Sequence, residues 1–185
     1  MRYNSFHGGI PMHYKYCPEC GLKLIDKEAG DDGFVPYCTA CEKYWFDSFA
    51  SCVIIMVVNE FDEIAMLSQP YLSTVHRNFV SGYISVGETA EACAMREVEE
   101  ELGIKLESLV STGTYWFSKR EQLMHGFVGF AKKQDFTLSS EVEDAQWIPH
   151  QEAEKLFFPA RVGSIMPLMY QDYLNMKEKN HADNH

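Results

Sequence analysis

Four carboxylates, Glu88, Glu97, Glu100 and Glu101, gather around the single Arg96 in residues 82–104, GYISVGETAEACAMREVEEELGI. On a helix, Glu97, Glu100 and Glu101 stand at i, i+3 and i+4 and share one face. Like charges so placed repel, by about 0.2–0.5 kcal/mol per pair even when exposed, so a cation must offset them. Arg96 can hold one carboxylate bidentately, either Glu88 or a member of the triplet. The oxygens left over suit a hard divalent ion, Mg²⁺ or Mn²⁺, and the chemistry such an ion serves is that of phosphates.

To place those carboxylates together, the chain must be helical from Thr89 to Leu102. It contains good helix formers and no proline there, Thr89 is available as N-cap, and Gly103 falls where a left-handed C-terminal residue belongs. Ala94, Met95, Val98 and Leu102 are expected on the packing face. A solvated acidic face is the ordinary reading of a Glu-rich helix. Here, however, the pattern from Gly82 through Glu88, Arg96-Glu97, Val98, Glu100-Glu101 and Gly103 to Ile104 fixes seven identities and two aliphatic classes. Its chance occurrence at a given start is on the order of one in 10⁸.

A second constellation precedes it. Cys17-Pro18-Glu19-Cys20 and Cys38-Thr39-Ala40-Cys41 are two C-x-x-C knuckles whose separation suits four thiolates around a structural Zn²⁺, with Gly21 supplying a tight turn. A redox disulfide is the competing reading, but such motifs come singly in a βαβ setting. The polar, turn-rich 26–33 segment reads as a hairpin tip. Lysines 15, 23, 27 and 43 are offset by Glu19, Asp26, Glu28, Asp31, Asp32 and Glu42, which favours a scaffold over a nucleic-acid surface. Cys52 and Cys93 stand singly in apolar or helical surroundings and are expected to be buried and inert.

The 185 residues allow one well-buried domain of about 130 residues plus a small module. With 16 basic and 27 acidic side chains, the charge of −11 disfavours broad attachment to nucleic acid or an anionic membrane. No apolar run approaches a membrane span and the opening residues have no apolar signal core, so a cytoplasmic protein is expected. Residues 1–13 read as an arm, 14–48 as a zinc ribbon, 49–178 as the main domain and 179–185 as a tail. The run Ser51–Val58 reads as a strand buried on both faces. Further strands are expected at Ile64–Ser68, Phe79–Ile84, Leu109–Trp116, Gly126–Phe130 and Trp147–Pro149, with a polar loop at Ser118–Gln122 and a final helix at Leu168–Lys177. Buried strands with two helices imply an α+β fold with a mixed sheet.

The 82–104 pattern resembles a complete Nudix box, the signature of a family of pyrophosphohydrolases that use Mg²⁺ or Mn²⁺. The resemblance implies a helix–sheet–helix sandwich from about Ala50 onward. It also implies metal ligation by Glu97 and Glu101, helped by Glu100 and by the backbone carbonyl of Ser81, with Glu88 and Arg96 as structural partners within the catalytic set. A further acidic ligand is expected from Glu141, and Glu121 is a second candidate for base or ligand. A zinc ribbon directly before a Nudix domain is similar to the NADH pyrophosphatase branch, over residues 14–175 and without the further N-terminal domain that many of those enzymes carry.

That branch's specificity signature, Ser-Gln-Pro-Trp-Pro-Phe-Pro-x-Ser, is not intact: at its place stand Thr114-Tyr115-Trp116-Phe117-Ser118-Lys119-Arg120-Glu121-Gln122. Tyr115, Trp116 and Phe117 are candidates to stack a base or nicotinamide, although alternating aromatics in a strand also serve a core. Lys119 or Arg120 would meet phosphate. Phe46 aligns with an aromatic that the resemblance places beside the substrate, and Gly163-Ser164-Ile165-Met166 resembles the branch's closing segment, making Met166 a further candidate. His76 and His125 read as ordinary hydrogen-bonded histidines.

These readings converge on a divalent-metal-dependent hydrolase cleaving a nucleoside diphosphate linked to another moiety, NADH, NAD or ADP-ribose, into AMP and a second phosphate product. The alternatives are a Nudix-derived sensor that binds such a nucleotide without turnover, a nucleoside triphosphate pyrophosphatase, and a zinc-ribbon nucleic-acid protein, of which one acting on nucleotide-capped RNA is a special case. The expected partner is a small nucleotide, with neither membrane nor extended nucleic acid, and the resemblance allows a homodimer.

Overall fold

The computed structural model describes residues 14–69, 75–159 and 164–182. The expected arm, residues 1–13, lies outside the described residues, as do Gly163 and the last three residues of the expected tail. The chain forms two compact units, dividing between Phe49 and Ala50.

The first unit is a three-stranded antiparallel sheet: β1 (Ile25–Glu28), β2 (Phe34–Cys38) and β3 (Lys43–Tyr44), in that spatial order. A 3₁₀ turn at Gly30–Asp32 joins the first two strands at the polar segment expected as a hairpin tip. Its main buried cluster is Cys17, Leu24 and Cys38, with Tyr14, Cys41 and Trp45 packed against it, and Val35 is buried as well. So small a core cannot offset chain entropy alone, which is why the four cysteines matter to this unit.

The second unit is built on β4 (Ala50–Val58), in which every residue from Cys52 to Val58 is buried. Around it stand β5 (Glu63–Ser68), β6 (Val80–Tyr83), β7 (Ser108–Phe117), β8 (Gln122–Phe130) and β9 (Asp144–Pro149). The order is β7-β8-β4-β5-β9, with β6 also paired to β4; β4 runs parallel to β8 and antiparallel to β5 and β6, so the sheet is mixed. The side-chain alternation of β4 divides its apolar run between two cores. Val53, Ile55 and Val57 meet Ala94, Val98 and Leu102 of α1 (Ala90–Leu102), while Cys52, Ile54 and Met56 meet Met166, Met169 and Tyr173 of the last helix. A short α2 (His150–Ala153) precedes that helix, α3 (Ile165–Ala182). The result is the helix–sheet–helix sandwich. Each fully buried aliphatic residue contributes about 1.5–3 kcal/mol.

Three local expectations differ from the structure. Met95 is exposed, whereas Cys93 is buried on α1: the buried arc is centred on Ala94 and reaches Leu102 on one side, leaving Met95 just beyond its edge. Strand β8 begins at Gln122 rather than Gly126, because Gln122 pairs with Ala50 of β4 and Phe117 of β7, so polar residues join the ladder. Helix α3 begins before Leu168 and runs beyond Lys177; Pro167 falls in its first turn, where a missing N–H costs no intrahelical bond.

A candidate metal-dependent phosphoanhydride site

Local chemistry sets the frame of α1. Thr89 Oγ1 accepts the Ala92 N–H at 3.2 Å, and Gly103 adopts φ 70° while its N–H donates to the Glu99 carbonyl at 2.9 Å. Both ends are therefore closed as the residue types dictate. Ahead of the helix, Glu88 accepts the Ser85 N–H at 3.0 Å, which ties the loop back on itself.

Arg96 is the hub. Its Nε and Nη2 donate to the two oxygens of Glu88 at 2.8 and 2.9 Å, and its Nη1 donates to Glu97 at 2.7 Å and Glu100 at 2.8 Å. Of the alternatives left open by spacing, the bidentate partner is Glu88. The Arg96 bond holds the Glu88 carboxyl down at about 2, with the Ser85 N–H helping. Arg96 Nη2 also reaches the Tyr83 carbonyl at 3.3 Å, fastening the helix to β6.

Glu101 is in a different setting. It is 5% exposed, its Oε2 is buried without a hydrogen-bond partner, and burial pushes its carboxyl up to about 8, reinforced by the charges of Glu97, Glu141 and Glu100. Burial also raises Glu97, against the pull of Arg96. The binding and packing faces of α1 thus overlap at Glu101 instead of standing apart. A buried carboxylate with an orphaned oxygen, among other carboxylates, is a donor set that a divalent cation fits. With Glu97 and Glu100 turned onto Arg96, the α1 carboxylates do not yet converge on one point. Among the described residues only Cys17, Cys20, Cys38 and Cys41 bring their ligand atoms within 4.8 Å of one another, an arrangement that can hold a metal ion.

Glu97, Glu100 and Glu101 open onto a cleft of about 580 Å³. Ser81 and Gly82 of β6, Arg120 and Glu141 also line it. The segment carrying Glu141 is tied to the helix end by the Ser139 N–H, which donates to the Glu101 carbonyl at 3.3 Å. Six of the residues singled out from sequence, Ser81, Glu97, Glu100, Glu101, Arg120 and Glu141, therefore meet in one place, with Arg96 among them and Glu88 behind it.

The aromatic candidates do not join them. Tyr115, Phe117 and Met166 belong to the core on the α3 side, where Tyr115 Oη bonds Asp172 at 2.9 Å and Thr112 Oγ1 at 3.0 Å. Trp116 points from the opposite face of β7 and is 47% exposed. Phe46 is exposed on the first unit, 6.5 Å from Tyr44 between ring centroids. Lys119 and Glu121 lie in the turn before β8 and are not among the cleft's lining residues. His125 pairs with Ser51 Oγ at 3.0 Å and His76 packs on Phe158, so both are accounted for by neighbours outside the carboxylate cluster. Cys93 is pushed up to about 12 by burial, as befits an inert thiol; Cys52, also raised by burial, is in the cleft floor. Tyr83 and Gln122 line the cleft too. Tyr83 occupies an unspecified position of the box and Gln122 lies in what reads as a loop, so spacing offered no signal for either.

Comparison with known proteins agrees with this geometry. The NUDIX domain family matches residues 48–169. The "NAD-capped RNA hydrolase NudC" of Pseudomonas aeruginosa is 27% identical over 148 residues, covering 80% of this chain and 52% of that protein. "Nudix hydrolase 19, chloroplastic" of Arabidopsis thaliana is 32% identical over 151 residues, covering 76% of this chain and 34% of that protein. The chain thus spans about half or less of the length of these curated relatives. Among solved structures, a NUDIX hydrolase from Nitrosomonas europaea superposes with a TM-score of 0.65 at 17% identity, covering 91% of this chain and 93% of that one. The NUDIX domain of Shewanella oneidensis NrtR, solved with ADP ribose, gives 0.59 at 14% identity, covering 76% and 94%. At these identities the superpositions speak for the fold, and the match over 48–169 speaks for the family: the chain belongs to the NUDIX domain family.

Proposed function

We propose that this chain is a divalent-metal-dependent pyrophosphohydrolase that cleaves a nucleoside diphosphate linked to another moiety, NADH, NAD or ADP-ribose, giving AMP and a second phosphate product. The observation that carries the reading is Glu101, a buried carboxyl with an unpartnered oxygen facing a cleft that three further carboxylates line. Mg²⁺ or Mn²⁺ would be held by Glu97, Glu100, Glu101, Glu141 and the Ser81 carbonyl. When bound, the ion supplies neutralisation of pyrophosphate charge and activation of water.

The chain's own residues do the rest. Arg96 orients Glu97 and Glu100 and is itself aimed by Glu88. Arg120, exposed in the cleft, meets phosphate oxygens. Water attacks one phosphorus in line, the anhydride bond breaks, and the other phosphate leaves as a monophosphate, without a covalent enzyme intermediate. Zn²⁺ on Cys17, Cys20, Cys38 and Cys41 is the structural ion of the first unit; burial works against Cys17 ionising, but backbone N–H groups of Cys20 and Glu19 outweigh it and bring the thiol to about 7. No helix among the described residues is long and apolar enough to cross a membrane.

The names of several relatives specify NAD-capped RNA, whose cap contains the same anhydride as NAD. The test is therefore AMP release from NADH, NAD⁺, ADP-ribose, an NAD-capped oligonucleotide, diadenosine polyphosphates and nucleoside triphosphates, with Mg²⁺ or Mn²⁺. Cleavage of the first group over triphosphates is expected. Binding of ADP-ribose without cleavage would instead make the protein a sensor.

A further inference from the structure

Glu141 reaches the cleft from a segment that has neither helix nor strand of its own. Residues 131–143 join the end of β8 to the start of β9, and irregular connections of that length are uncommon in compact domains unless they serve a function. The segment is fixed at both ends. At its start, the Ala131 N–H donates to the Val58 carbonyl at 3.0 Å and the Lys133 N–H to Glu60 Oε2 at 2.7 Å. At its close, Val142 is 5% exposed in the α1-side core, and the Glu143 N–H donates to the Ser68 carbonyl at 3.1 Å.

Between these ends the segment is gripped by one side chain. Trp147 of β9 donates its Nε1–H to the Gln134 carbonyl at 2.9 Å, and its ring stacks on Phe136 at 5.1 Å between centroids with 29° between planes. Directly beyond Phe136 the segment lies along the C-terminal end of α1. There the Thr137 N–H donates to the Leu102 carbonyl at 2.9 Å and the Ser139 N–H to the Glu101 carbonyl at 3.3 Å. Carbonyls that a helix end leaves without partners thus anchor the loop. The approach is so close that a β-carbon on Gly103 would stand 2.7 Å from Thr137 Cβ. In the turn that follows, the Val142 N–H donates to the Ser139 carbonyl and the Glu141 N–H to Ser139 Oγ, both at 3.3 Å, and Glu141 meets the cleft.

From this chain of contacts we infer that Trp147 is a positioning residue for Glu141: it grips Gln134 and Phe136, so that the residues after them are laid on the end of α1 and Glu141 is presented beside Glu101. The inference rests on the metal-dependent reading above and adds to it the residue that sets the distance between the ligand on the helix and the ligand on the loop. Those two carboxylates repel one another while no cation stands between them. A loose loop would relieve the repulsion by carrying Glu141 away into water. A loop fastened to the helix end keeps it in place, so part of the ordering needed to bind the ion is complete before the ion arrives. Both parts of the indole are used, the ring on Phe136 and the N–H on the Gln134 carbonyl. Trp147 is not among the residues lining the cleft, so it acts through the segment alone.

The experiment is a double-mutant cycle read by Mn²⁺ titration calorimetry on the full, zinc-loaded chain, with thermal unfolding as a folding control. Trp147→Leu should weaken Mn²⁺ binding about tenfold, the lower end of what a metal site loses with its outer support. Trp147→Phe, which keeps a ring and loses the N–H, should fall between it and the parent, and carries the same cycle if Trp147→Leu does not fold. Glu141→Gln should weaken Mn²⁺ at least as much as Trp147→Leu does. Adding Trp147→Leu to Glu141→Gln should then cost nothing further, because the placement of an absent carboxylate no longer matters. In metal-free protein, hydrogen exchange at the Thr137 and Ser139 amides should quicken in Trp147→Leu while the Cys93 amide within α1 keeps its parent rate. Equal weakening by Trp147→Leu with and without the Glu141 carboxylate, or parent-like affinity in a folded Trp147→Leu, overturns the positioning role and leaves the metal-dependent reading standing. A parent that binds no Mn²⁺ overturns that reading, and unchanged affinity in Glu141→Gln removes Glu141 from the ligand set; either result takes the role of Trp147 with it.

Discussion

Gly82 and Glu97 are so closely apposed that a β-carbon on Gly82 would stand 1.9 Å from Glu97 Cδ and 2.1 Å from its Oε1. The β6 backbone and the carboxyl occupy one another's space only because residue 82 has no side chain. What blocks a larger residue is the far end of a flexible side chain, not backbone. Gly82→Ala should therefore cost little stability, shifting Tm by a few degrees at about 2–4 °C per kcal/mol, while displacing Glu97. A misplacement of that size should lower turnover about 10²-fold. Thermal unfolding and kcat measured on the same sample check this, and parent-like turnover would mean that Glu97 need not stand where it does.

Glu101 is buried with an oxygen that finds no partner, which disfavours the metal-free fold. Glu101→Gln removes the buried ionisable group, so above about pH 8, where the metal-free parent's carboxyl becomes charged, the variant should melt at or above the parent's temperature. Parent stabilisation by Mn²⁺, read as a rise in Tm with concentration, should shrink in the variant, and turnover should fall at least about 100-fold. An unchanged Mn²⁺ response would remove Glu101 from the ligand set.

Arg96 makes a forked contact with Glu88 and reaches Glu97 and Glu100 with its remaining nitrogen. A lysine keeps the charge but cannot span three carboxylates from one plane. Arg96→Lys should reduce metal affinity or activity about 10–100-fold. Metal titration of the variant, followed by calorimetry, tests the assignment; full affinity would mean that charge alone suffices.

The cysteine cluster predicts a separate metal dependence. A strong chelator should strip zinc and unfold the first unit, which has few buried hydrophobic residues, Cys17, Leu24, Val35 and Cys38. Hydrogen exchange should then speed up across residues 14–49 while the amides of β4 remain protected. Cys38→Ser should reproduce that pattern without chelator, and uniform protection in either sample would exclude a structural ion.

A polar clamp joins the β4–β5 turn to α3. Asp62 accepts Tyr173 Oη at 2.8 Å and Lys177 Nζ at 2.6 Å; His150, 9% exposed, contacts Tyr170 Oη at 3.2 Å and Lys177 Nζ at 3.4 Å. Burial lowers the His150 pKa, Lys177 adds to this, and Asp62 opposes it. The folded state thus prefers neutral imidazole. Its contribution is complete above the unfolded value of about 6.5 and is lost as pH falls from there through the lower folded value. Stability measured between pH 7 and 5 should decline, and His150→Gln should flatten the decline. Asp62→Ala strands the Tyr173 hydroxyl and should cost about 1–3 kcal/mol at neutral pH.

Where order along the chain carries the information, the reading from residues was close. Thr89 and Gly103 bound α1 because capping is a property of a few adjacent residues. The β-branched run at β4 marks a strand buried on both faces because no other element tolerates seven successive apolar residues so well. The pairing of Cys17 and Cys20 with Cys38 and Cys41 follows from ligand spacing.

What the linear order could not convey is which side of a strand faces the ligand and what crosses from a neighbouring strand. Tyr115 and Phe117 look like a base-stacking pair, yet the register of β7 on β8 turns them into the α3-side core. Met95 and Glu101 exchange the environments their types suggest, because the burial of α1 depends on where the sheet meets it. The Gln122–Tyr83 bond joins positions 39 residues apart across a third strand. Sequence patterns record contacts within a turn or along a helix face, where distance follows from chain geometry. A cleft is made by residues remote in sequence, and its chemistry is decided only when strand register sets their distances.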